Sequence, residues 1–429
     1  MIGNEGLPRI GGADIVKRHL ASVVAGRLQE EPVVVLNGAR TAGKSTLLRE
    51  CAAEHGTPVL DLDDPATLSA VAADPSTFVS SAREPVCVDD FQRVLPLLDA
   101  IKAELNRELR PGRFLLTGST RYTSLPITSQ SLTGRAHVVT MWPLSQGELR
   151  GRRETFLAIL VRDPASLLAA VSSTTTRSQY ESALLAGGYP IALRRASEAA
   201  RARWFRDYVG MVVERDVLEI RAIRQREVMP EIMRHLAAQT GQVVNASRIG
   251  EAVGLQRSVV GDYVELLQSV FLVHQLEAFG RTLSTRVRHH PKVHLVDSGL
   301  AAHLLGVSSE RLARRDPVAL TEFGHVVETF AVNEILKQAG WCDELLRFSH
   351  YRTRDGQEVD LVVETADGRI AGVEVKSAAA VDAADFRGLK QLRDRLGGAF
   401  VGGVALHLGQ HAYRYDDRLF ALPLDRLWA

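Results

Sequence analysis

The feature that most restricts how this chain can fold is the phrase Gly38-Ala39-Arg40-Thr41-Ala42-Gly43-Lys44-Ser45. It sits between a β-branched run, Val33-Val34-Val35-Leu36, and an apolar helical periodicity through Leu47 and Leu48. The phrase matches G-x-x-x-x-G-K-[ST] in the strand–loop–helix setting that this pattern needs. Glycines let the backbone curl until its N–H groups point at phosphate oxygens, and the positive end of the following helix adds to the attraction. The spacing predicts that residues 38–46, Thr46 included, bind a nucleoside triphosphate, with ATP the expected ligand. Lys44 would reach the β- and γ-phosphates and Ser45 a magnesium ion. The plainer alternative is an ordinary βα turn.

Further strands are expected at 58–62, 86–89, 114–117 and 138–141, giving a parallel α/β sheet. The strand Pro85-Val86-Cys87-Val88 ends in Asp89-Asp90. Asp89 is the expected second magnesium group and Asp90 the residue that polarises the attacking water; two solvated aspartates at a strand end are the alternative. Ser119 or Thr117, after the strand through Leu116, would face the γ-phosphate or serve as a cap.

From about 145 to 228 the pattern becomes helical, rich in alanine and arginine, and is broken at Gly187-Gly188-Tyr189-Pro190; an all-helical lid is expected. Residues 230–280 then give a helix, two shorter helices turning near Gly254, and an alternating run at 271–276, the pattern of a winged helix-turn-helix. The last third returns to α/β, with a helix at about 324–338, strands at 345–351, 358–364 and 370–376, and a helix at 386–396, expected as a separate domain.

Hydrophobic residues at 45% and charged residues at 24% describe a globular chain. Its 52 basic residues against 51 acidic ones give no whole-chain case for a polyanionic partner, so any basic patch must be local. Arg257 and Ser258 open the second helix of the winged unit, where a DNA reader places its contacts, but Asp262 and Glu265 lie on the same helix. Arg281, Arg286, Arg288, His289, His290 and Lys292 form a denser basic cluster, expected as a phosphate-tracking wing for DNA or RNA. Cys51, Cys87 and Cys342 are odd in number and widely spaced, which predicts free thiols. With no signal-peptide pattern or long apolar run, a cytoplasmic protein without a membrane partner is expected.

In the last third, Glu358-Val359-Asp360 opens one strand and Glu374-Val375-Lys376 closes the next, with Glu328 on the preceding helix. At period two, Glu374 and Lys376 share a face, so Asp360, Glu374 and Lys376 converge, and Glu328 can be delivered from the helix. Asp360 and Glu374 are expected to ligate magnesium, or manganese, and Lys376 to position a nucleophile. This pattern resembles the PD-(D/E)xK nuclease superfamily, whose motif also persists in modules that bind without cleaving.

Several phrases together carry a wider resemblance: Gly38 to Ser45, Leu62-Asp63-Asp64-Pro65, Val88-Asp89-Asp90-Phe91-Gln92-Arg93, Leu116-Thr117-Gly118-Ser119, Ser131-Leu132-Thr133-Gly134-Arg135, Pro143-Leu144-Ser145, Gly187-Gly188-Tyr189-Pro190, residues 204–208, Glu214-Arg215-Asp216 and Asp297-Ser298-Gly299-Leu300. In this order they resemble a prokaryotic family of AAA-type ATPases with a C-terminal restriction-endonuclease-like domain of unknown function. The resemblance spans nearly the whole chain. It implies an ATPase sheet with an additional strand and a magnesium-ATP ligand. The implied division is a P-loop ATPase domain at 1–145, a helical lid at 146–228, a winged helix at 229–300 and a nuclease-like domain at 301–429. Asp90 stands where the family usually has glutamate, which implies slow hydrolysis. Arg135 is the candidate trans-acting finger, which would need a homo-oligomer. The competing expectation is a non-catalytic ATP-dependent switch that binds a protein partner, its end domain an inactive binding module.

Overall fold

A computed structural model describes residues 15–121, 132–169, 172–213, 217, 226–280, 290–353 and 355–429. Ser131, the phrase at 214–216, and Arg281, Arg286, Arg288 and His289 lie outside the described residues. Helix α1 (Leu20–Glu30) leads into strand β1 (Val33–Gly38) and helix α2 (Lys44–His55). Then follow β2 (Val59–Asp61), α3 (Pro65–Ala73), α4 (Pro75–Ser81), β3 (Val86–Asp89), α5 (Pro96–Arg107), β4 (Phe114–Gly118) and β5 (Ala136–Met141). The five strands are parallel, in the order β2-β3-β4-β1-β5.

Alternation along β1 divides its side chains between two cores. Val33 and Val35 pack with Phe114, Leu116, Leu97 and Ile101 on the α5 side, and Val34 and Leu36 with Leu20, Val24, Leu47 and Leu48 on the side of α1 and α2. A strand apolar on both faces suits only the interior of a parallel sheet covered by helices, which is why β1 reads as an unbroken apolar run. Because β1 lies between β4 and β5, a crevice opens at the carboxyl ends of the strands, the place where open α/β sheets bind ligands.

The rest of the chain forms a second lobe. Its first part is helical: α6 (Gln146–Arg150), α7 (Phe156–Arg162), α8 (Arg177–Ala186), α9 (Pro190–Leu193), α10 (Glu198–Met211) and α11 (Met229–Ala237). Next come β6 (Gln242–Val243), α12 (Ala246–Val253), α13 (Arg257–Ser269), β7 (Val273–Ala278) and β8 (Lys292–Leu295). Helices α14 (Ser298–Leu305), α15 (Ser309–Ala313) and α16 (Pro317–Ala339) precede β9 (Leu346–Arg352), β10 (Glu358–Thr365) and β11 (Ile370–Val375). Helix α17 (Arg387–Leu396), β12 (Phe400–His407), β13 (Tyr413–Asp416) and β14 (Leu419–Pro423) close it.

These strands make one nine-stranded sheet, β13-β14-β12-β11-β10-β9-β7-β8-β6. The boundary expected at 300/301 therefore does not separate two cores: Glu277 and Ala278 of β7 pair with Ser349 and His350 of β9, and one apolar cluster runs from Phe156 to Trp428. A β7–β8 hairpin ending at β7 would expose a strand edge, and β9 covers it. The last three strands were not anticipated; in β12 Gly402-Gly403 interrupts the apolar pattern. A Cβ at Gly402 would lie 2.7 Å from Pro164, and one at Gly403 2.9 Å from Leu419, so close packing excludes side chains there.

The two lobes are joined by a polar contact of α16. Lys337 donates to the Leu144 carbonyl at 3.0 Å, and within the second lobe the nearby Glu334 accepts the Gln146 N–H at 2.7 Å. Among the described residues no helix is long and apolar enough to cross a membrane.

Candidate functional site

The phosphate loop follows β1 directly. A Cβ on Gly38 would lie 2.1 Å from the Met141 carbonyl oxygen, so the neighbouring strand β5 leaves room only for glycine. Thr41 (φ +60°) and Gly43 (φ +102°) turn the chain back, and α2 opens at Lys44. The unpaired N–H groups of that first turn give the loop its affinity for anions. Lys44 is buried, and its ammonium donates to the carbonyls of Gly38 and Ala39 at 2.9 Å each. Two side chains from outside the loop brace its outer carbonyls. Arg18 Nη1 donates to the Ala42 carbonyl at 2.8 Å, and the Tyr208 hydroxyl donates to the Arg40 carbonyl at 3.4 Å while lying 3.1 Å from the Tyr189 hydroxyl. Arg18 also reaches Trp142 O at 2.7 Å and Glu148 Oε1 at 2.9 Å. Arg18 carried no signal in the sequence, because its partners lie 24 and 130 residues away.

Opposite the loop, parallel register sets Asp89 level with Thr117. The buried Asp89 accepts a short hydrogen bond from the Thr117 hydroxyl, which takes up the group expected to cap or to face phosphate. Asp90 is left-handed (φ +55°), and its N–H donates to Thr117 Oγ1 at 3.2 Å. Gln92 Nε2 donates to Asp90 Oδ1 at 3.0 Å and to Ser119 Oγ at 3.2 Å, tying the two expected residues together. Burial raises the Asp90 carboxyl above its ordinary range, opposed by the Gln92 hydrogen bond and the Lys44 charge. Ser45 in the first turn of α2 and the Asp89 carboxylate at the end of β3 supply hard oxygen donors, a donor set that fits magnesium.

Arg135 lies elsewhere. It precedes β5, whose Ala136 pairs with Val33 and Met141 with Gly38, so it stands at the amino-terminal end of the strands, opposite the end that carries the loop. Five strand residues separate those levels, roughly 16 Å. Arg135 binds Asn106 Oδ1 at 2.7 Å, and this geometry excludes contact with a nucleotide on its own chain.

In the second lobe, Leu361 pairs with Val373 across β10 and β11, so the next residues outward, Asp360 and Glu374, are also opposite each other. The structure brings Glu328, Asp360, Glu374 and Lys376 together around a cavity of about 510 Å³. Asp360 Oδ2 accepts the Val375 N–H at 3.0 Å, and Lys376 Nζ meets Glu374 Oε1 at 2.8 Å. Glu374 Oε2 is buried without a hydrogen-bond partner.

The residue missed here is Lys292. Expected on an exposed basic wing, it is instead buried in β8, with Nζ 2.9 Å from Glu328 Oε1, 3.0 Å from Asp360 Oδ1 and 3.7 Å from Glu358 Oε2. Alternation in β8 sends its side chain inward, which a count of nearby charges cannot reveal. Burial alone would lower its pKa, but Asp360 and Glu328 more than reverse this and raise it. Burial and then the Asp360 charge push Glu328 up to about 8, and the same causes, in the same order, raise Glu374 well above its ordinary range. The expected divalent cation at Asp360 and Glu374 does not fit this arrangement: the Lys292 ammonium already holds Asp360, and that of Lys376 one oxygen of Glu374. Among the described residues no three His, Cys, Asp or Glu side chains form a metal-binding group.

The helix pair α12 and α13 turns at Gly254 (φ +70°), and Asn245 caps α12 by accepting the Arg248 N–H at 3.0 Å. Arg257 and Ser258 are exposed at the start of α13 and line a groove with His290, while Asp262 and Glu265 are exposed further along the helix.

Loop, acidic strand end and strand order together define an AAA-type P-loop ATPase domain. Residues 30–150 match a family described as AAA domain; residues 177–311 and 323–427 match two described as domains of unknown function, DUF8612 and DUF4143. Uncharacterized proteins of Mycobacterium tuberculosis and Mycobacterium bovis are each 26% identical over 420 residues, covering 98% of this chain and 86% of the relative. Among solved structures, a Walker-type ATPase of Pyrococcus abyssi has a TM-score of 0.40 at 16% identity, covering 69% of this chain and 98% of that one. AMPPCP-bound DnaA from Aquifex aeolicus has a TM-score of 0.26 at 14% identity, covering 58% of this chain and 86% of its own. The family matched by the C-terminal third assigns it neither a nuclease fold nor an activity.

Proposed function

We propose that the chain binds magnesium-ATP at residues 38–46 and hydrolyses it slowly. The observation that carries this is the polar chain facing the loop, in which Thr117 orients Asp89 while Gln92 fixes Asp90 beside Ser119. Lys44 would exchange the Gly38 and Ala39 carbonyls for β- and γ-phosphate oxygens. Ser45 and Asp89 would hold the magnesium, which neutralises phosphate charge when bound. Asp90 would orient the attacking water, and one methylene fewer than glutamate leaves it short of the best position. Arg135 would serve only a neighbouring chain's nucleotide, so that role requires a homo-oligomer.

The loop's braces, Arg18 and Tyr208, support a coupled reading: nucleotide alters the loop, and the second lobe responds. Helices α12 and α13 with the β7–β8 hairpin are read as a winged helix that contacts DNA or RNA through Arg257 and Ser258, both exposed. The C-terminal strands are read as a nuclease-like fold to which no cleavage step is assigned. A protein-binding switch is the second reading, favoured by the direct bond from Lys337 of α16 to the Leu144 carbonyl at the end of the ATPase domain. Calorimetry and phosphate release on wild type and Lys44→Ala test the first reading: the substitution should abolish ATP binding and turnover while the fold persists, and equal affinity in both proteins would refute it.

A further inference from the structure

We infer that Lys292 is the resident cation of the C-terminal carboxylate cluster: its ammonium takes the place of a divalent metal ion, and the cluster binds no such ion while it is there. Lys292 Nζ lies within hydrogen-bond distance of Glu328 Oε1 (2.9 Å) and Asp360 Oδ1 (3.0 Å), carboxylates 36 and 68 residues away in sequence. Its side chain is 2% exposed. The backbone beneath it cannot withdraw, because β8 is hydrogen-bonded on both flanks, Lys292 pairing with Leu276 on one side and Val243 on the other.

Of the carboxylates, Asp360 is held through both oxygens and the other two in part. Asp360 gives its second oxygen to the Val375 N–H. Glu328 lies against Gly241, where a Cβ would come within 3.0 Å of Oε2. Glu374 gives one oxygen to Lys376, and its other is buried and unpartnered. Charge makes the same point. Lys292 and Lys376 already set two positive charges against Glu328, Asp360 and Glu374. A divalent ion sharing these oxygens would stand close to two ammonium groups among buried carboxylates, where like-charge repulsion is less screened than in bulk water. Magnesium and manganese prefer six oxygen ligands in octahedral array, and here Glu328 Oε1 and both Asp360 oxygens are already taken by Lys292 and the Val375 N–H.

The inference is independent of the ATPase reading and is tested without turnover. Mn2+ is titrated, in the absence of nucleotide, into the full-length wild type, Lys292→Met, Glu374→Gln and the double variant, with free Mn2+ read by electron paramagnetic resonance. Wild type and Glu374→Gln should bind Mn2+ identically. Lys292→Met, which keeps side-chain bulk and removes the charge, should gain one site at least about a hundredfold tighter than any in wild type. That site should vanish in the double variant, and Mn2+ should raise the Tm of Lys292→Met but not of wild type. A Mn2+ site in wild type that Glu374→Gln removes, or a folded Lys292→Met that gains none, would overturn the inference. Should Lys292→Met not fold even with Mn2+, the comparison of wild type with Glu374→Gln decides alone.

Discussion

Replacing Arg18 with methionine removes the guanidinium that ties the phosphate loop to the start of the second lobe. Three bonds go at once: to Ala42 O at 2.8 Å, Trp142 O at 2.7 Å and Glu148 Oε1 at 2.9 Å. Each is charge-assisted, and such bonds contribute roughly 1.5–3 kcal/mol apiece when measured singly. They do not add, because Glu148 keeps the N–H groups of His19 at 2.9 Å and Ser145 at 3.0 Å. The better guide is the removal of one partner from a buried ion pair, which costs about 3–5 kcal/mol. Arg18 and Glu148 qualify, with side chains 8% and 1% exposed. Urea unfolding should therefore show a loss of about 3–5 kcal/mol. Arg27→Ala, which breaks an exposed pair with Glu30, should cost under about 0.5 kcal/mol. Because the Ala42 carbonyl loses its anchor, ATP affinity should also fall about five- to tenfold, equivalent to about 1–1.4 kcal/mol. A stability loss below about 1 kcal/mol for Arg18→Met would refute the idea that this residue holds the loop to the lobe.

Turnover should rise in Asp90→Glu and fall by at least about tenfold in Asp90→Asn, as measured by phosphate release; unchanged hydrolysis in Asp90→Asn would remove Asp90 from the water-orienting role. Burial holds the His274 imidazole at about 4, below its free value, so the folded state stays neutral while the unfolded state gains a proton. Stability present above pH 6.5 is therefore lost as pH falls toward 4, by about 1.4 kcal/mol per pH unit. In His274→Gln, where glutamine can still donate to Asn333 Oδ1, the unfolding free energy should change less between pH 6.5 and 4.5, by that slope; parallel profiles for the two proteins would contradict it. If the winged-helix reading holds, Arg257→Ala should weaken DNA or RNA binding and reduce the salt slope by about one, as followed by fluorescence anisotropy.

The phosphate site was legible because its chemistry is local. A strand, a glycine loop and a helix start occupy consecutive residues, so the pattern and the geometry are nearly the same thing, and the strand ending in Asp89 and Asp90 is equally continuous. What the sequence did not disclose was how these pieces are held. Thr117 could be named as a hydroxyl near the site but not as the donor to Asp89, since parallel pairing of β3 and β4 alone sets them level. Arg135 carries a different lesson: the resemblance implied a finger for a neighbouring chain, and strand direction, which puts it at the far end of the strands from its own loop, leaves it to that role alone.

In the second lobe the sequence by itself determined the parts: two-residue alternation put Glu374 and Lys376 on one face, and apolar periodicity marked the helix that carries Glu328. Only tertiary structure decided their meaning. The β7–β8 hairpin pairs with β9, fusing stretches read as two domains into one sheet and turning Lys292 from a member of a basic run into a buried partner of Glu328 and Asp360. Charge read along a sequence has no inside or outside. Burial supplies that distinction, and a lysine that would be solvated on a loop becomes, among buried carboxylates, the ion that balances them.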